Sequence, residues 1–138
     1  MRACALAVVL VASPAPAMAS PGWELHVPER VEVAAGATGT LPIELAIDRG
    51  QSISKDGGLV LDLAPDGGVA VKRRRFGRAD AVDPDADAPR FAIALRAEAA
   101  GDFTLKVHLR FWLCGTKVCR PIDARRTVTV SVAAPATP

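Results

Sequence analysis

From Trp23 to Val132 apolar and polar residues alternate in short runs punctuated by Gly, Pro and Asp. Period two belongs to a strand with one buried face, because successive side chains leave opposite sides of the extended backbone. In the segment 41–47, Leu41, Ile43, Leu45 and Ile47 share one side, and Pro42 predicts an edge or strand-start position. The pattern returns at Leu59-Val60-Leu61-Asp62-Leu63, at Val69-Ala70-Val71 after the Gly67-Gly68 turn, and at 90–95, where Phe91, Ile93 and Leu95 point inward. The longest run, 103–114, sets Phe103, Leu105, Val107, Leu109, Phe111 and Leu113 on one face. Thr104, Lys106, His108, Arg110, Trp112 and Cys114 take the other. Val128, Val130 and Val132 mark a terminal strand. With 23–27 and 31–33 read as a broken first strand, the chain holds about seven or eight strands at spacings of roughly 8–12 residues, the rhythm of a β-sandwich. No window carries a helical period. The predicted fold is therefore all-β, an immunoglobulin-like sandwich with a cysteine-bearing hairpin near its C-terminus.

A length of 138 residues accommodates one core. Ahead of it, Arg2, the apolar run Ala5–Ala12 and the small-residue site Ala17-Met18-Ala19 have the three parts of a cleavable secretory signal, expected over 1–19. The domain is expected over 20–134, with 135–138 a disordered tail. The apolar run falls far short of the roughly 20 residues that span a bilayer, so no stable membrane insertion is predicted and the mature chain is expected to be exported, for instance periplasmic. Positive and negative side chains nearly balance, which excludes the electrostatic footprint of a nucleic-acid or anionic-membrane binder.

Cys4 precedes the apolar run and leaves with the signal, so Cys114 and Cys119 remain. An even count in an oxidising compartment is the arithmetic of one disulfide. They lie in Phe111-Trp112-Leu113-Cys114-Gly115-Thr116-Lys117-Val118-Cys119-Arg120-Pro121, spaced to flank a tight hairpin turn. Facing residues there approach closely enough to bond. Closing so short a loop stabilises by only about 2 kcal/mol in the chain-entropy model, against roughly 3 for a 15-residue loop. A weak staple leaves room for chemistry. Lys117 and Arg120 flank the pair and Arg110 shares the strand face of Cys114; nearby cations favour the thiolate that disulfide exchange requires. Trp112 lies on the same face and is placed to shelter the sulfurs. The bland alternative is a non-catalytic immunoglobulin-like binding module with a structural disulfide, the commoner use of a cysteine pair in an exported domain.

A long alternating strand ending in an aromatic and Cys114, a short loop, Cys119 closely followed by Pro121, and a Val-rich last strand resemble the N-terminal periplasmic domain of the thiol:disulfide interchange protein DsbD. The specific match is confined to residues 111–121. The resemblance implies an immunoglobulin-like fold in which Cys114 and Cys119 are the exchanging pair of a protein-disulfide reductase or electron-relay domain. It further implies that reducing equivalents pass to or from thioredoxin-like exported proteins, or a membrane thiol reductase acting in trans. The chain departs from that family in having no Tyr for an aromatic cap.

Other signals carry less. Lys72-Arg73-Arg74-Arg75 followed by Asp80, Asp83, Asp85 and Asp87 reads as a solvated loop whose charges partly neutralise one another. A calcium loop would need a turn glycine after Asp87 and a bidentate acid where Ala94 stands. His26 and His108 are distant in sequence from the cysteines, so no zinc site is predicted, and no organic cofactor is called for.

Overall fold

A computed structural model describes residues 22–134. The signal expected over 1–19 and the tail expected over 135–138 lie outside them. The strands are β1 (Trp23–His26), β2 (Arg30–Ala34), β3 (Thr38–Ile47), β4 (Ser52–Ile53), β5 (Val60–Pro65), β6 (Ala70–Val71), β7 (Arg75–Gly77), β8 (Phe91–Arg96), β9 (Gly101–Cys114) and β10 (Cys119–Ala133). A single 3-10 turn, Arg78–Asp80, interrupts them among the described residues.

One sheet has the order β1-β3-β8-β6 and the other β2-β10-β9-β5-β7, with β4 added to β9. With the short β4 and β7 set aside, the eight remaining strands place the first, third, sixth and fifth in one sheet and the rest in the other. That is the partition of the immunoglobulin-like sandwich. The break anticipated between 27 and 31 is real and has a purpose: β1 pairs antiparallel with β3, whereas β2 crosses to the second sheet and pairs parallel with β10.

Alternation builds the core. Leu105, Val107, Leu109, Phe111 and Leu113 of β9 are buried to 2% exposure or less, and meet Leu41, Ile43, Phe91, Ile93 and Leu95 from the opposite sheet. Each such side chain gains about 2 kcal/mol on leaving water. Trp23 of β1 meets Phe111 edge to face across the sandwich, with centroids 5.9 Å apart. Phe103, expected inward, is only partly buried and packs on the rim of this core.

Of the two positions expected for Pro42 the structure has the edge: it lies inside β3, where pairing with β1 stops at Glu44 and leaves β3 locally an edge. Two assignments differ from the sequence reading. The last strand begins at Cys119 rather than Val128, because pairing with β9 runs without a bulge from Cys119 opposite Cys114 to Val132 opposite Gly101. Its first half was hidden by Arg126, which occupies an inward phase opposite Val107 yet is exposed. Arg75, read as part of a loop, belongs to β7, where its guanidinium pairs with Asp62 of the neighbouring β5 at 2.7 Å.

Candidate functional site

β9 and β10 meet at the hairpin Gly115-Thr116-Lys117-Val118, closed by a hydrogen bond from the Gly115 N–H to the Val118 carbonyl at 2.9 Å. Immediately before and after it, Cys114 and Cys119 are direct cross-strand partners with Cα atoms 4.0 Å apart, joined by a disulfide. So close an approach is that of a non-hydrogen-bonded antiparallel pair, in which side chains on one face lie nearest. Neither cysteine belongs to the apolar core. The bridge therefore joins residues that the strand ladder already holds together.

The two sulfurs' residues are not equivalent. Cys114 has a neighbour on both sides, Cys119 on one and Ser52 of β4 on the other, and is half-buried. Cys119 is exposed, and among the described residues no strand lies on its outer side. β4 reaches Cys114 because a turn at Asp48–Gln51 reverses the chain after β3, with the Gln51 N–H donating to the Asp48 carbonyl at 3.0 Å. Gly50 in that turn has φ +84°, a conformation that glycine adopts without strain.

The segment after β4 lies against Trp112. The Ser54 N–H donates to the Trp112 carbonyl at 2.9 Å, and the Gly57 N–H to Ser54 Oγ at 2.8 Å. The indole sits so near Gly57 that a Cβ there would lie 2.7 Å from its Cδ1. Trp112 thus leans on the 54–57 turn while staying 41% exposed. Val118, at the hairpin tip, is 71% exposed. Lys117 and Arg120 are exposed beside the cysteines, as is Pro121, which faces Trp112 in register.

The residue that holds this region together went unnoticed in the sequence. Arg78, half-buried, donates to four main-chain carbonyls: Ile53 at 2.8 Å, Ser54 at 3.1 Å, Pro84 at 3.0 Å and Ala86 at 3.1 Å. It fastens the β4 segment to the loop before β8, and the Ile53 N–H completes the join by donating to the Asp87 carbonyl at 3.0 Å. One guanidinium, with its fixed fork of donors, satisfies carbonyls that the sheets leave unpaired. Arg78 follows a run of basic residues, so its sequence context resembled that of a solvated charge.

Electrostatics on the outer face of β5, β9 and β10 are paired. Asp62 accepts from Arg75 and, at 2.8 Å, from Arg110. Hydrogen bonding from Arg75 above all, with Arg110 adding to it, holds its carboxyl below the usual range. Arg110, four residues before Cys114 and expected to favour its thiolate, is thus engaged by the Asp62 carboxylate. His108 meets Asp123 at 2.8 Å, and this hydrogen bond, aided by Arg125, lowers the Asp123 pKa. The acidic stretch pairs locally, Asp80 with Arg73 and Asp83 with Arg90.

No protein-family model matches the chain, and no curated protein matches it in sequence. Among solved structures it is similar to AggA, the major subunit of aggregative adherence fimbriae type I from Escherichia coli. Identity is 9%, over 80% of this chain and 94% of that one, with a TM-score of 0.42. It is similar to murine CRIg at 8% identity, over 80% and 98% of the two chains, with a TM-score of 0.44. The CooA pilin subunit of enterotoxigenic E. coli gives 12%, 82%, 99% and 0.37 in the same order. With overlap this loose, the strand order assigns the fold, not these neighbours.

Proposed function

We propose that this domain is an exported thiol:disulfide interchange module, passing reducing equivalents through Cys114 and Cys119 to or from thioredoxin-like partners. The observation that supports it is a disulfide between residues already paired by the ladder, lying outside the core with one cysteine exposed. A bridge so placed adds little to the fold and is open to another protein's thiol. In this reading the partner's thiolate attacks the Cys119 sulfur, a partner–Cys119 bond forms, and the Cys114 sulfur leaves as thiolate into the cover of β4. A second partner thiol then attacks the partner's own sulfur in the mixed disulfide. The partner ends as a disulfide, and this domain as a dithiol holding the two electrons and two protons transferred. The reverse sequence oxidises the domain again, with a membrane thiol reductase or another exported dithiol as co-reactant.

A redox titration of the mature domain, read by thiol alkylation and intact mass, tests this. Exchange requires the pair to titrate near the poise of its compartment, whereas structural disulfides lie below roughly −300 mV. A pair still oxidised at that potential overturns the proposal. It would leave the second reading, an immunoglobulin-like binding module with a structural disulfide, which the exposed Trp112 and Val118 at one end of the sandwich favour as apolar contact points.

A further inference from the structure

We propose that the free edge of β10, residues 121–127, receives an extended acidic segment of a partner protein, which joins the second sheet as an added strand. This inference does not depend on the chemistry of the cysteines.

β10 is 15 residues long, but β2 covers only Thr129–Ala133. Among the described residues, no strand pairs with the backbone of the preceding part on the side away from β9. Hydrogen bonds at both ends fix which groups look outward. The Thr129 N–H donates to Glu29, and the Ala133 carbonyl accepts from Ala35, so odd-numbered residues direct their main chain away from β9. The bulge-free register carries this phase back along the strand, and the close Cys114–Cys119 pair agrees with it. Asp123 and Thr127 therefore present both N–H and carbonyl groups at the edge, Arg125 an N–H and a carbonyl that already accepts from the Arg126 guanidinium at 2.7 Å, and Pro121 a carbonyl alone. Such a row is a template for another strand.

Charge selects the occupant. The edge 121–127 carries Arg125 and Arg126 against Asp123, an excess of +1. Asp123 is in addition already bonded to His108 and lies near Arg125. Arg126, inward in phase but exposed, has to leave along the edge. A charge so placed blunts pairing with neutral or basic strands, whereas an incoming carboxylate pairs with it. A second copy of this chain would bring the same positive excess. The edge also ends at Cys119, so a docked segment terminates beside the disulfide.

The test uses the mature domain and a synthetic peptide alternating Thr and Glu. Binding should protect the Asp123, Arg125 and Thr127 amides from hydrogen exchange and weaken as salt rises. Lys in place of Glu in the peptide should weaken binding by roughly tenfold or more. Thr127→Pro removes one edge donor in the phase where Pro121 is already tolerated, and should lower affinity by roughly tenfold. A peptide N-methylated on its edge-facing amides should lose affinity on the wild-type domain, which keeps the test valid if that variant fails to fold. Unchanged amide exchange at saturating peptide, or equal binding of the N-methylated form, overturns the proposal. So does concentration-dependent protection of the same amides without peptide, which would make a second copy the occupant.

Discussion

The molecule is fastened near the hairpin in two ways. Cys114 and Cys119 are joined covalently across a turn of four residues, whereas Arg78 joins by hydrogen bonds segments as far as 25 positions away in the sequence. The covalent bond links what β9 and β10 already hold in register. The guanidinium links the β4 segment to the loop before β8, which are otherwise joined by the hydrogen bond from the Ile53 N–H to the Asp87 carbonyl. What a fastening contributes depends on what would come apart without it, not on the strength of its bonds.

The largest effect should follow from Arg78→Ala, which strands four carbonyls and frees the β4 segment. We expect a loss of about 3 kcal/mol in denaturant unfolding, since hydrogen bonds to a charged donor are the costly ones to delete. Releasing β4 should also uncover Cys114, so alkylation of the reduced protein should quicken at Cys114 more than at Cys119. Arg78→Lys, which lacks the fork, should recover only part of the stability.

Replacing Cys114 and Cys119 together by Ser should cost less, at most about 2 kcal/mol. Exchange with a thioredoxin-like partner should vanish while the fold survives. A double variant less stable than Arg78→Ala would reverse the comparison and make the bridge a staple. Single replacements sharpen it: Cys114→Ser should accumulate the mixed disulfide on Cys119, and Cys119→Ser should form none.

Gly57→Ala probes the join between the two regions, because the added methyl would sit against the Trp112 ring. The ring is partly exposed and can shift, so the cost should be about 1 kcal/mol. A change in indole fluorescence should accompany it, with Trp23, edge-on to Phe111, as the unaltered background.

The smallest effect lies on the outer faces. Asp62, Asp80 and Asp123 all have lowered pKa values, caused first by Arg75, by the Gly77 N–H and by His108 respectively. A depressed folded-state value gives stability that is present above the ordinary carboxylate pKa of about 4 and is lost as pH falls through the folded value. Stability should thus be flat above about pH 5 and decline below it, and Asp62→Asn should shallow the decline. A decline that begins near neutrality instead would point to groups other than these carboxylates.

The strand pattern, the apolar core and the cysteine pairing were legible because each follows from local rules. Alternation marks a buried face whatever it packs against, and a short spacing around Gly115 forces Cys114 and Cys119 together. The sandwich could be read from the number and rhythm of such strands. The start of β10 was not legible, because Arg126 breaks the alternation and only pairing with β9 reveals that the chain is still extended there. β7 was not legible either, since the carboxylate that orders Arg75 comes from another strand. Arg78 shows the limit most clearly. From sequence it is one arginine among many, and nothing within its own neighbourhood distinguishes it. Its role arises from carbonyls contributed by Ile53 and Ser54 on one side and Pro84 and Ala86 on the other, which only the folded chain brings within reach. The difference between Cys114 and Cys119 has the same origin: β4 reaches one of them and not the other, and that is decided by how a distant segment folds back onto the sheet.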